Sequence, residues 1–210
     1  MNDIALAARL SAAIYGAKAI NDFDAIRRAD STMCGIKQID NTTWLVLQGS
    51  NGLKDWVDNI DIQPLKHPVI GTLHRGFYEN LPRLIKSLKP YLGNPIKITG
   101  HSKGAGEGAI LAGLLHAQGY QVISVILFAS PKSGLQDFAD YMRTNVPGKS
   151  FRNVSKWLSF FGDPITNLPL YPYVETYELT SINEPPTGLL YLLRTAWHSM
   201  TLYFAGISKL

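Results

Sequence analysis

"IKITGHSKGAGEGAILAGLL", residues 96–115, decides the fold. A short apolar run, Ile96 to Thr99, meets Gly100. His101, Ser102, Lys103 and Gly104 follow, and then small residues that read as a helix over 103–118. A serine at the bend between a strand and a helix, with a glycine two residues to each side, fits G-x-S-x-G. The chemistry accounts for the glycines. A nucleophile raised on so sharp a turn sits in strained backbone, and side chains two positions away would collide there. The turn exposes the Ser102 hydroxyl at a helix N-terminus, where the N–H of Lys103 and the helix dipole favour a developing oxyanion. The plainer reading is a glycine-rich turn that only permits tight helix–sheet packing. Phosphate binding is a weaker one: the P-loop ending Gly-Lys-Ser/Thr is missing, and G-x-G-x-x-G does not fit.

The neighbouring segments alternate between strand and helix patterns. Upstream, "MCGIKQI" and "TTWLVLQG" read as two strands turning at Asp40-Asn41. Phe77, Leu81, Leu84, Ile85, Leu88 and Leu92 carry one helical period that ends at Gly93. Downstream, "VISVILF" (122–128) is continuously apolar and β-branched, which suits a central strand covered on both faces. Phe138, Tyr141 and Met142 mark a helix, "SFRNV" a short strand, and "YVETYEL" (173–179) a last strand at an edge. "HSMTLYFAGI" reads as a C-terminal helix, and Leu6, Leu10, Ala13 and Ile14 as an N-terminal one stopped by Gly16. After an antiparallel start, this alternation predicts an α/β fold, a mostly parallel sheet flanked by helices. Ligands of such sheets bind beyond the carboxyl ends of the strands, where Ser102 lies.

Bulk composition narrows the function classes. The chain has 210 residues, 46% of them hydrophobic, enough for one full core. The net charge of +4 is scattered, without a basic run, so the sequence predicts no nucleic-acid binding; a mild positive balance is compatible with transient contact with an anionic membrane or lipid surface. Cys34 is the single cysteine, so no intrachain disulfide forms. The N-terminus lacks the positive n-region of a signal peptide, and no apolar run approaches the roughly 18 residues of a membrane span. The expectation is a cytoplasmic protein or one released by a route other than the Sec pathway. Histidines are scattered and Cys34 has no partner, so neither a metal nor another cofactor is expected.

An activated serine needs a base and a group that orients it. On this type of turn they follow in the order Ser, then Asp or Glu, then His. His116 and His198 lie downstream. His116 falls some 20 Å along the nucleophile helix, by its rise per residue, and precedes every plausible acid. His198, before the last helix, is the candidate base. Asp163 in "FFGDPITNLP" is the candidate acid, because Pro164 pushes it toward extended backbone past a strand end. Asp137 and Asp140 fall within a helix, and Glu175 and Glu178 along a strand.

With these residues in place the chain resembles the class 3 lipases, of the α/β-hydrolase superfamily, over almost its whole length. "LVLQGSNGLKDWVDNI" is similar to the family's strand, its R-G-T/S turn and the D-W-x-x-N that follows. "LHRGFYENL" resembles the H-x-G-F element, and "ITGHSKGAGEGAILAGL" the nucleophile elbow and helix. "VILFASPKSG" is similar to the G-x-P-R-x-G loop, "VSKWLSFFGDPITNLP" to the acid loop, and "WHSMTLYFAGI" to the histidine and last helix. The resemblance implies Ser102 as nucleophile, Asp163 as acid and His198 as base. It adds Ser50 to Lys103 as a backbone donor of the oxyanion hole, and a lid over residues 51–64, where Leu53, Trp56, Val57 and Ile60 are helically spaced. "GLLYLLRTAW", just before His198, is a second apolar candidate for the acyl-pocket wall. Gln48 stands where the family usually has Arg, and Lys103 where Leu is commoner. Because only its backbone is asked to act, Lys103→Leu is expected to keep most activity.

Residues 1–210 therefore read as a single α/β-hydrolase domain. The expected reaction is hydrolysis of carboxylic esters of lipids, acylglycerol or phospholipid, or of a small soluble ester, through an acyl-enzyme. Two rivals remain. An acyltransferase would use the same triad, and product analysis with competing alcohols separates it. A non-catalytic lipid-binding module could share the fold, but the Ser–Asp–His order argues against it.

Overall fold

The computed structural model describes residues 2–16, 22–50, 61–154, 162–182 and 198–207. In chain order the elements are helix α1 (Asp3–Ala13) and strands β1 (Ala25–Ala29), β2 (Thr32–Ile39) and β3 (Thr42–Leu47). A hairpin of β4 (Pro64–His67) and β5 (Gly71–His74) follows, then helices α2 (Arg75–Tyr78) and α3 (Leu81–Leu88). The rest comprises β6 (Ile96–His101), α4 (Lys103–Ala117), β7 (Val122–Phe128), α5 (Gln136–Asn145), β8 (Gly148–Asn153), β9 (Leu179–Ile182) and α6 (Met200–Ile207).

Among the described residues the main sheet runs β1-β2-β3-β6-β7-β8-β9. Its first two pairings are antiparallel and the remaining four parallel. The antiparallel start is set by Asp40 and Asn41, both at positive φ (46° and 60°). Two left-handed residues make the two-residue turn whose twist matches the strands, and Asp and Asn tolerate that backbone best after glycine. The parallel register then lines up the strand ends: Leu47 of β3 stands beside Gly100 of β6, and His101 beside Phe128 of β7. The segments leaving β3, β6 and β8 therefore emerge together at one edge.

Two apolar layers hold this edge in place. On one face Leu47, Ile98 and Leu127 pack with Phe77, Leu84, Leu111 and Phe138. On the other Trp44, Val46, Ile126 and Phe128 pack with Leu6, Leu10 and Ile14 of α1 and Tyr203 and Ile207 of α6. Each such side chain contributes roughly 1.5–3 kcal/mol by leaving water.

Two expectations need correction. The helical period from Phe77 to Leu92 belongs to two helices and a 3-10 turn (Lys89–Tyr91). Pro82 lacks the N–H that would bond the carbonyl of Tyr78, so it suits the first turn of a new helix and not the interior of an old one. The alternation of "YVETYEL" is not a strand either, and the edge strand is β9, starting at Leu179. Val174 makes one bridge to Gly134, and Tyr173 and Tyr177 are buried by donating their hydroxyls to the carbonyls of Ile62 and Val146. That alternation records packing of a connecting segment against its neighbours. The strands β1, β4 and β5 are additional to the sequence reading. Of the lid candidate 51–64, residues 51–60 with all four helically spaced side chains lie outside the described residues, as does the apolar stretch 188–197; Pro64 begins β4. Among those described, no helix is long and apolar enough to cross a membrane.

Candidate active site

Ser102 occupies the bend between β6 and α4 with φ 59° and ψ −133°. Left-handed backbone is costly for a residue with a Cβ, and it persists where the surroundings enforce it. Here they do. A Cβ on Gly100 would lie 2.5 Å from the carbonyl oxygen of Gly104, and one on Gly104 would lie 2.3 Å from that of Leu47. The two glycines flanking the serine are thus steric requirements of the bend. The serine's own N–H donates to Phe128 O at 3.0 Å, tying the elbow to β7. Its Oγ is buried and, among the described residues, has no hydrogen-bond partner.

Asp163 reaches the same edge from the other side. Its N–H donates to Asn153 O, the last residue of β8, at 2.8 Å. Pro164 then opens a 3-10 turn (Ile165–Asn167), and the N–H of Ile165 returns to Asp163 Oδ1 at 3.0 Å. The other carboxylate oxygen accepts from His198 Nδ1 at 2.8 Å and from the Tyr203 hydroxyl at 2.7 Å. Burial pushes this carboxyl up, but the imidazole charge and these three donors outweigh it and hold Asp163 below its ordinary range. Tyr203 is driven well above the ordinary phenol value by burial and by the adjacent carboxylate, so it stays a donor to Asp163 while accepting from Asn153 N at 2.9 Å.

The structure thus brings Asp163 and His198 into contact, with Ser102 at the same sheet edge. Ser50 follows Gly49, whose backbone abuts the elbow: a Cβ there would stand 3.1 Å from Ser102 Cβ and 2.6 Å from His101 O. Lys103 opens α4. The other acids and His116 are elsewhere. His116 Nδ1 bonds the Tyr141 hydroxyl at 2.9 Å. Asp137 accepts from Thr72 N, Thr72 Oγ1 and Lys66; burial raises its carboxyl, and these donors more than reverse that, to about 2. Among the described residues no three side chains of the metal-ligating types converge.

Several residues of the site escaped the sequence reading. Tyr203 is one polar group on a very apolar last helix, five residues past His198, and that contrast is its only signal. The Lys103 side chain is another. It is buried, with Nζ 2.6 Å from Glu107 Oε1 and 3.0 Å from Ser31 O, while Thr32 Oγ1 donates to the same Glu107 oxygen at 2.6 Å. An ammonium treated as incidental is therefore one half of a buried ion pair. Gln48, in place of the usual Arg, donates through Nε2 to Ile14 O at 2.9 Å and so ties the turn before Ser50 to the end of α1.

The family model described as "Lipase (class 3)" matches residues 44–172, more than half of the chain. The protein belongs to the class 3 lipase family. The lipase is accordingly a carboxylic ester hydrolase acting on lipid esters, and its mostly parallel sheet flanked by helices is the α/β-hydrolase arrangement. Its fold matches that of Rhizomucor miehei triacylglyceride lipase with a TM-score of 0.70 at 18% identity, over 86% of this chain and 79% of that one. The mono- and diacylglycerol lipase of Aspergillus oryzae gives 0.66 at 17% identity, over 89% and 81%. A triacylglycerol lipase whose catalytic centre is formed by a serine protease triad gives 0.63 at 19% identity, over 80% and 74%. No curated protein matches the sequence. The matched segment of this lipase includes Ser50, Ser102, Lys103 and Asp163 and stops short of His198.

Proposed function

We propose that this lipase cleaves acylglycerol or phospholipid esters through Ser102, His198 and Asp163, within a single α/β-hydrolase domain spanning residues 1–210. The observation that carries the reading is the 2.8 Å contact of His198 Nδ1 with Asp163, at the edge where Ser102 is held at positive φ. A carboxylate can only accept, so Nδ1 carries the proton and Nε2 is left with its lone pair. That lone pair takes the Ser102 proton as Oγ attacks the ester carbonyl. The tetrahedral oxyanion is received by the N–H groups of Lys103 and Ser50, each worth roughly 100- to 1000-fold in rate. His198 returns the proton to the leaving alcohol, the acyl group stays on Ser102, and water activated by His198 releases it. Asp163 keeps the tautomer and stabilises the imidazolium without taking the proton.

The test is hydrolysis of p-nitrophenyl esters from acetyl to palmitoyl by the wild type and Ser102→Ala. Alanine keeps the Cβ, hence the same backbone strain, and removes a buried hydroxyl that has no partner among the described residues, so the variant should melt no lower than the wild type. Its turnover should fall on the order of a million-fold. A folded Ser102→Ala protein that still turns over at the wild-type rate would remove Ser102 from the mechanism. Release of fatty acid from both acylglycerol and phospholipid vesicles then fixes the head group.

A further inference from the structure

His101, the residue just before Ser102 in the G-x-S-x-G turn, is buried beside His198. Its ring centroid lies 4.6 Å from that of His198. One ring nitrogen, Nε2, is 2.8 Å from the carbonyl oxygen of His198; the other, Nδ1, is 3.0 Å from the Tyr15 hydroxyl. A carbonyl only accepts, so Nε2 carries the proton. Burial and the neighbouring His198 push the His101 imidazolium down to about 3, so the ring is neutral and Nδ1 accepts from Tyr15. The Tyr15 hydroxyl also abuts Gly49, the residue before Ser50. The contact is tight enough that a Cβ on Gly49 would lie 2.1 Å from the phenol oxygen. The side-chain bonds therefore run from Tyr15 O–H to His101 Nδ1 and from His101 Nε2–H to His198 O, with the Tyr15 oxygen also 3.4 Å from His101 O.

This chain connects three parts that come from distant stretches of sequence. Helix α1 ends before Tyr15, the oxyanion turn follows β3, and His198 precedes α6. The first turn of α6 closes on Ser199 O, through Leu202 N at 3.0 Å and Tyr203 N at 3.3 Å, so His198 stands outside the helix. Its ring is fixed by Asp163 and its backbone by His101. A neutral ring beside His198 also adds no like charge when His198 becomes an imidazolium during the reaction. We propose that Tyr15 and His101 are positioning residues, a hydrogen-bonded relay that sets the backbone of the base His198 against the oxyanion turn. This rests on His198 being the base.

The experiment compares His101→Leu, His101→Gln, Tyr15→Phe and His198→Ala on p-nitrophenyl butyrate, with melting curves for each. Glutamine presents an amide N–H near the position of Nε2; leucine presents none. His101→Leu should lower kcat about 100-fold, the order expected when a reacting group is misplaced by about an ångström, with KM nearly unchanged. His101→Gln should recover most of that loss. Tyr15→Phe should cost about tenfold in kcat, the scale of one hydrogen bond. Should His101→Leu not fold, the glutamine and phenylalanine variants decide. The relay is overturned if folded Tyr15→Phe and His101→Gln both keep wild-type kcat and leucine does too, or if glutamine rescues nothing over leucine, which would leave only packing. His198→Ala separates the two levels. If it is inactive while the His101 and Tyr15 variants match wild type, the relay alone fails; if it keeps wild-type kcat, the base assignment fails and takes the relay with it.

Discussion

Asp163 and Glu107 are both buried carboxylates near the nucleophile elbow, and they are held in opposite ways. Asp163, on a loop past β8, receives a backbone N–H, a phenol and an imidazole, and stays anionic despite its burial. Glu107, on the second turn of α4, has a full ammonium at 2.6 Å and the Thr32 hydroxyl, both on one oxygen. Its other oxygen, Oε2, is buried without a partner among the described residues. Burial wins there, and the Glu107 carboxyl is pushed up. The contrast follows donor placement: the donors are spread over both oxygens at Asp163, where the carboxyl is held down, and confined to one at Glu107, where burial pushes it up. The first arrangement suits a group that must stabilise a charge appearing and vanishing beside it. The second suits a clamp, since it pins the first turns of α4 to the β1–β2 turn at Ser31 and Thr32.

The sharpest way to break this contrast is to neutralise each carboxylate in place. Under the proposed mechanism, Asp163→Asn should lower kcat by roughly 10,000-fold while leaving the fold intact, because an amide donor facing Nδ1 forces the proton onto Nε2 and removes the proposed base. Glu107→Gln should leave kcat within a few-fold of wild type. Equal losses in the two variants, measured on the same ester, would mean that both carboxylates serve the chemistry and would dissolve the distinction.

The clamp is tested through stability. Lys103→Leu leaves the buried Glu107 carboxyl without its closest donor and should cost about 1–3 kcal/mol in urea denaturation, while the double variant Lys103→Met/Glu107→Leu should recover most of it. Turnover per folded molecule in Lys103→Leu should stay within about 100-fold of wild type, since the oxyanion donor proposed above is the backbone N–H. A double variant no more stable than the single would show that the pair is held by something other than its own charges.

The sequence made the elbow legible because steric demands leave marks: glycines at 100 and 104, a serine between them, a strand before and a helix after. The order of Asp163 and His198 was legible for a similar reason, in that a proline fixes the backbone of one and a helix start that of the other. Periodicity misled where burial and regular structure part company. The apolar spacing from Phe77 to Leu92 survives a helix break at Pro82, and Tyr173 to Leu179 alternates without joining the ladder. The supporting groups were illegible because they act across the fold. Tyr15 and His101 are 86 positions apart, and Thr32 and Glu107 are 75 apart. Nothing local to Lys103 announces that its ammonium meets a carboxylate one turn on and a carbonyl at Ser31.

A third carboxylate supplies the finest test. Glu175 is half-buried, with Lys132, Arg152 and Arg143 near enough to pull its carboxyl down, yet burial prevails and raises it to about 7. Among the described residues no ion pair closes on it, so it lacks even the single tight contact of Glu107. The folded protein then keeps a proton on Glu175 through a pH range in which the unfolded chain has lost it. The stabilising contribution is complete below the ordinary carboxyl value near 4.5 and disappears as pH rises through about 7. The span corresponds to about 1–3 kcal/mol, toward the lower end because solvent reaches the group. Glu175→Gln cannot titrate, so its melting temperature should match wild type at pH 4 and exceed it by several degrees at pH 8. A gap between the two proteins that stays constant from pH 4 to pH 8 would mean that the nearby cations hold this carboxylate ionised without hydrogen bonds, and the rule read from Asp163 and Glu107 would not extend beyond them.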